Sequence, residues 1–248
     1  MNRTELEQDH DHKAVEARLK AGPKPSYIAD AILGGMDGCV TTFAIVSGSI
    51  GAGFGGVVAV VLGIANLLAD GFSMAVSNYE ANRAEQERRQ SLRDTEAAHI
   101  AQVPEGEREE IRQIFRAKGF DGDMLETVVE TITSDERVWL DTMMTEEHGI
   151  GTAEPRPLAS AAATMAAFIT VGAVPLTPFL VPGLGPDATF ATSAGLAATM
   201  FMAVGALKSR NLGQPRLRGG IRTLLTGSAA ATIAYAVGAL LQAWIGAA

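Results

Sequence analysis

Residues 54–79 read FGGVVAVVLGIANLLADGFSMAVSNY, and residues 80–102 continue EANRAEQERRQSLRDTEAAHIAQ. The first stretch is long and apolar enough to cross a bilayer, which takes about 20 mostly apolar residues. The second is strongly charged, yet no Gly or Pro stands between Glu80 and Gln102 to stop a helix. This pattern predicts a single helix that begins in a membrane and runs on into the cytoplasm. That prediction sets the fold: membrane helices with a soluble helical insert.

Four further segments are long and apolar enough to span: Tyr27–Gly51, Leu158–Val181, Ala188–Leu207 and Ile221–Ala247. Apolar residues make up 47% of the 248, aromatics only 6%, and there are 27 glycines, which suits close-packed membrane helices. The predicted fold is therefore an all-α membrane protein. It has five transmembrane helices, with a cytoplasmic helical domain inserted between helices 2 and 3. The expected boundaries are an N-terminal tail over 1–26, helices 1–2 over 27–79, the insert over 80–157 and helices 3–5 over 158–248. The N-terminus, MNRTELEQDHDHKAVEARLK, lacks the apolar run of a signal peptide. His10 and His12 fall in this tail, which is expected to be disordered.

Lys and Arg fix the orientation. All 20 fall in the tail, the insert or the 208–222 connection, and the remaining loops and the C-terminal end have none. Tail, insert and the 208–222 connection are thus assigned to the cytoplasm and the C-terminus to the opposite side. The insert carries 19 of the 28 acidic residues and 10 of the 20 basic ones, so the net charge of −8 originates there. An acidic balance of this kind does not point to nucleic acid. The single cysteine, Cys39, excludes an intrachain disulfide and a CxxC zinc site, and reads as a packing residue.

Within the insert, Pro104 suits the first turn of a helix PEGEREEIRQIFRA, with Gly119 past its end. Asp121 or Asp123 could cap MLETVVETI, and Ser134 could cap DERVWLDTMMTEEH, which Gly149 would end. Ile111, Ile114, Phe115, Leu125, Val128, Val129, Ile132, Val138 and Leu140 are the expected core. Glu107 and Glu110 share a helix face, as do Glu96 and His99. Met143, Met144 and Glu147 form a third group. Carboxylate, imidazole and thioether together suit a first-row divalent transition metal, with Fe²⁺ the natural candidate. Taken singly, such residues more often have ordinary roles: a solvated helix face for the Glu pair, core filler for the methionines, a surface imidazole for His99. DGDMLETVVE lacks the ligand and glycine positions of a calcium loop.

In the spans, Asp37 interrupts GGMDGCVTTF, and a carboxylate there is costly unless it faces a wet path or a partner. Asn66, Asp70, Met74 and Asn78 recur every four residues, so they form one polar stripe, with Tyr79 and Glu80 at its cytoplasmic end. Facing Asp37, this stripe would line an ion path; alternatively, its asparagines merely bond neighbouring helices.

The segments DAILGGMDGCVTTFAIVSG, GIANLLADGFSMAVSNYE, PEGEREEI, WLDTMMTEEHG, VGAVPLTPFL and GALKSRNLGQPRLRGGIRTLLTGSAAATIAYAVG occur in this order. Through them the chain resembles the vacuolar iron transporter family along nearly its whole length. The resemblance implies five membrane helices, an acidic cytoplasmic metal-binding domain and a homodimer with its ion path at the subunit interface. It implies export of Fe²⁺ from the cytoplasm in exchange for protons, with Mn²⁺ also carried, and no enzymatic activity or resident cofactor. Co²⁺ and Zn²⁺ are further candidate ions. The membrane would be the cell membrane in a prokaryote and the vacuolar membrane in a eukaryote. Family pathway positions fall on Asp37 and Met74, and Asp70, Asn78 and Glu80 join them as candidates from the stripe. Family metal-ligand positions fall on Glu96, His99, Glu107, Glu110, Met143, Met144 and Glu147. His99 stands where relatives usually have Glu, and Asn78 where they often have an acid. The competing reading is a membrane-anchored metal buffer or sensor; a ferroxidase is a third.

Overall fold

A computed structural model describes residues 10–22, 25–151 and 156–246. Arg3 and Lys24 of the N-terminal charge, the end of the insert over 152–155, and Ala247 of the fifth apolar segment lie outside them. The described elements are all helical: α1 (His12–Ala21), α2 (Ile28–Gly51), α3 (Gly56–Gln102), α4 (Pro104–Ala117), α5 (Gly122–Thr133), α6 (Glu136–Glu146), α7 (Pro157–Gly172), a 3₁₀ helix (Val174–Leu180), α8 (Pro186–Asn211) and α9 (Arg216–Ile245). The chain divides into two compact units, Met1–Pro25 with Asn82–Pro155, and Ser26–Ala81 with Arg156–Ala248.

The continuous helix read from residues 54–102 is present as α3, whose 47 residues supply helix to both units. The tail departs from expectation, because His12 opens α1. HKAVEARLKA is made largely of good helix formers, and Lys20 pairs with Glu16 one turn back at 2.7 Å.

In the apolar unit, α2 is the central helix. It packs on α7, α9 and α8, and it buries Gly34, Gly38, Thr42, Val46 and Ser49, among others, along its length. A Cβ on Gly34 or Gly38 would collide with the backbone carbonyls of Thr164 and Phe168, so only glycine lets α2 and α7 approach this closely. Phe168, Phe201, Val46, Cys39 and Leu176 fill the core between these helices. Cys39 is fully buried there, a packing residue. Helices α2, α3, α8 and α9 are each long and apolar enough to cross a membrane. The segment read as one span over Leu158–Val181 is broken instead: α7 and the 3₁₀ helix meet at 41°. Pro175 and Pro178 have no amide proton for the helical ladder and clash with the preceding turn, which forces the break. Ser193 Oγ donates to the carbonyl of Pro175 at 2.6 Å and ties α8 to it.

In the charged unit, Ile100, Ile111, Leu125, Val129, Trp139, Leu140, Met143, Met144 and Ile150 form the core. The strongly amphipathic α4 packs on α5, and α5 on α6. Arg112 joins Glu126 at 2.8 Å between α4 and α5. Two expectations fail here. Asp135, not Ser134, caps α6, its carboxylate accepting from the amides of Arg137 and Val138; Ser134 instead closes α5. Val138 is 45% exposed, and Trp139, 4% exposed, belongs to the core instead.

Candidate metal centre

Glu96 and His99 lie one turn apart near the end of α3. Glu107 sits in the first turn of α4, where Pro104 restarts the helix after Val103. Folding the two helices about this break brings Glu107 to the other pair. The Nδ1 atom of His99 is 3.7 Å from Glu96 Oε1 and 3.5 Å from Glu107 Oε1. Glu96 and Glu107 are 3% and 5% exposed, and their Oε2 atoms are buried with no hydrogen-bond partner among the described residues. Such groups cost stability unless something binds them.

Glu110 is exposed on the next turn of α4, close enough to Glu107 and Glu147 for its charge to act on both carboxyls. Burial, together with repulsion from Glu110, Glu96 and Glu147, pushes Glu107 up to about 7, against an opposing pull from His99. Burial and the charges of Glu110 and Glu96 also raise Glu147. Three arginines of the unit are engaged elsewhere. Arg93 pairs with Asp141, Arg108 with Glu105, and Arg112 with Glu109 and Glu126. Glu96, Glu107, Glu110 and Glu147 thus gather with no arginine ion pair among the described residues, a charge distribution that a divalent cation would relieve.

Of the predicted ligands, the structure brings Glu96, His99 and Glu107 into one group whose ligand atoms all lie within 4.8 Å of one another. Glu147 falls in a second group with Glu96 and His148. Met143 and Met144 are buried in the apolar core of this unit. His148 escaped the sequence reading because it follows the end of α6, where helical spacing no longer predicts direction. Gly149, at φ +64°, turns the chain there, and the Ile150 amide reaches back to the Met144 carbonyl at 2.9 Å. His148 Nε2 comes to 3.1 Å from Glu96 Oε1.

In the apolar unit, the stripe on α3 meets polar groups of α2. Asn66 Nδ2 donates to Thr41 Oγ1 at 3.2 Å. The Asp70 and Asp37 carboxylates are near enough for their charges to interact. Asn78 Nδ2 donates to Asp30 Oδ1 at 2.8 Å and to Thr164 Oγ1 at 2.7 Å. Going down α3 from Asn66 to Asn78 therefore corresponds to going back along α2 from Thr41 to Asp30. Met74 is half-buried within the stripe and Glu80 is exposed. Asp30 is a partner that sequence reasoning left unused, and the two asparagines bond neighbouring helices.

A model of the VIT family matches residues 28–239, a range that includes both polar regions. The chain belongs to the VIT family. The vacuolar iron transporter of Toxoplasma gondii is 31% identical over 246 residues, covering 96% of this chain and 80% of that protein. Vacuolar iron transporter 1 of Tulipa gesneriana is 29% identical, covering 96% and 93%. The Arabidopsis thaliana protein of the same name is 29% identical, covering 94% and 91%. Membership of the VIT family agrees with the resemblance read from the sequence. With its apolar helices, it makes this chain a multi-pass membrane protein.

Proposed function

We propose that this protein transports divalent transition metal, Fe²⁺ first, out of the cytoplasm in exchange for protons. Mn²⁺, Co²⁺ and Zn²⁺ are further candidate cargoes. The observation that carries this reading is the pair of buried, incompletely bonded carboxylates, Glu96 and Glu107, beside His99. Metal names on the relatives support iron as the cargo. The charged unit would face the cytoplasm and capture the ion with Glu96, His99, Glu107, Glu110 and Glu147, aided by Met143 and Met144. Asp37, Asp70 and Met74 would replace part of its water shell within the membrane, and Met74 would favour transition metals over Mg²⁺. Asn78 and Glu80 would stand at the cytoplasmic mouth, and Asp37 would carry the returning proton.

The bent α7 and 3₁₀ pair would count as one span, giving five in all, with the C-terminus opposite the cytoplasm. Only 22% of the apolar window of α3 is buried, against 44% for α2, and Val57, Val61, Leu68 and Phe72 are exposed on it. That surface supports a lipid environment and a second copy of the chain as partners. The setting would be the cell membrane in a prokaryote or the vacuolar membrane in a eukaryote, and the role iron homeostasis and detoxification.

Metal buffering without transport is a second reading, favoured by the use of Asn66 and Asn78 as helix ties. Vesicles containing purified protein separate the two. The transporter moves Fe²⁺ across the membrane, faster with an opposing pH gradient. Protein that binds Fe²⁺ and never moves it is a buffer. Anaerobic transport of unoxidised Fe²⁺ would speak against ferroxidase chemistry.

A further inference from the structure

We infer that His148 is a metal ligand in this protein, forming with Glu96 and Glu147 a second divalent-metal position. It lies beside the position framed by Glu96, His99 and Glu107, and Glu96 is the carboxylate common to both. This rests on the reading that the charged unit loads metal.

Four distances carry it. A four-coordinate ion with bonds of about 2.1 Å holds its ligand atoms roughly 3.4 Å apart. His148 Nε2 is 3.1 Å from Glu96 Oε1 and 3.8 Å from Glu147 Oε2, which brackets that separation. The first position has the same spacing, with His99 Nδ1 at 3.5 and 3.7 Å from its two carboxylates. Glu96 Oε1 therefore lies within 3.7 Å of both imidazoles, while its Oε2 is buried and lacks a hydrogen-bond partner among the described residues. A bridging carboxylate can serve two metals, as in sites where ions sit about 3.5–4 Å apart, and both imidazoles here approach the same oxygen, Oε1.

Chain geometry holds the second position in place. Glu147 is the cap at the end of α6, and its amide bonds the Met143 carbonyl at 3.0 Å. Ile150 is buried just beyond, in the same core as Met143 and Met144. His148 is pinned between these two anchors and is mostly buried, with 21% of its side chain exposed. One nitrogen ligand in each position selects Fe²⁺, Co²⁺ or Zn²⁺ over Mg²⁺ and Ca²⁺, which prefer oxygen alone.

Titration of the full-length protein in detergent with Co²⁺ tests this. Proton NMR reads it, since an imidazole bound to Co²⁺ shows its remaining ring N–H as a strongly shifted, solvent-exchangeable line. Glu147→Gln should weaken the same Co²⁺ that His148→Gln removes, by about tenfold or more. His148→Gln should abolish one shifted line and His99→Gln a different one. His148→Asn provides a second variant should the Gln form fail to fold. A folded His148 variant that keeps every shifted line and the full Co²⁺ stoichiometry would overturn the inference and leave His148 as a hydrogen-bond donor to Glu96. An unsubstituted protein that binds no Co²⁺ would overturn the loading reading as well, so the two failures are distinct.

Discussion

The two ends of α3 treat polar groups in opposite ways. In its apolar half, Asn66 and Asn78 are bonded to Thr41, Asp30 and Thr164, so their polarity is spent on neighbouring helices. In its charged half, Glu96 and its neighbour Glu107 on α4 each keep a buried oxygen without a hydrogen-bond partner among the described residues, and their ion pairs among those residues are with histidine. Satisfied groups hold a structure in one arrangement, whereas unsatisfied ones are stabilised by a ligand. The difference assigns positioning to the asparagines and capture to the carboxylates. Asp37 and Asp70 stand between these cases: their charges interact, and Asp70 has an asparagine on either side of it along the stripe.

The largest expected effect separates the two regions outright. Asp37→Ala should reduce Fe²⁺ flux in vesicles to background while leaving metal binding by the purified protein intact; normal flux would remove Asp37 from the pathway. Next, Glu107→Ala combined with Glu110→Ala should weaken Co²⁺ or Fe²⁺ binding by about tenfold or more. Unchanged affinity in a calorimetric titration would return both residues to a solvated helix face.

A pH effect follows from Glu107. Its carboxyl titrates near 7 in the folded protein, above the ordinary 4.5, so the native state holds its proton more tightly than the unfolded one. Its contribution to stability is full below about 4.5 and is lost as pH rises through about 7. Metal-free protein should therefore melt at a lower temperature at pH 8 than at pH 5.5, and added metal should reverse the loss. Glu107→Gln should flatten this slope and raise Tm at pH 8 by roughly 2–4 °C. A slope unchanged in that variant would contradict the assignment.

The smallest effect belongs to the ties. Asn78→Ala should cost about 1 kcal/mol, in line with hydrogen bonds between membrane helices. It should leave metal affinity in the charged unit unchanged, and a large loss of affinity would break the division of roles.

Periodicity made much of this legible. The continuity of α3 followed from the absence of Gly or Pro over 80–102, and the i,i+3 spacing put Glu96 beside His99. What escaped depended on chain direction after a helix stops. His148 enters the site because Gly149 turns the backbone, and Trp139 rather than Val138 faces the core from α6. Pro175 and Pro178 were visible in the sequence, but an apolar run of sufficient length hid the break they impose. Asp30 went unused because its partner, Asn78, is 48 residues away, beyond any local pattern.

The central claim is that the carboxylates of the charged unit load the ion that the membrane helices then pass. Initial rates of Fe²⁺ flux against Fe²⁺ concentration, for unsubstituted protein and Glu96→Gln in the same vesicles, test it most directly. The account predicts a raised KM with the maximal rate retained, since capture is weakened while the pathway at Asp37 is intact. An unchanged KM would contradict it.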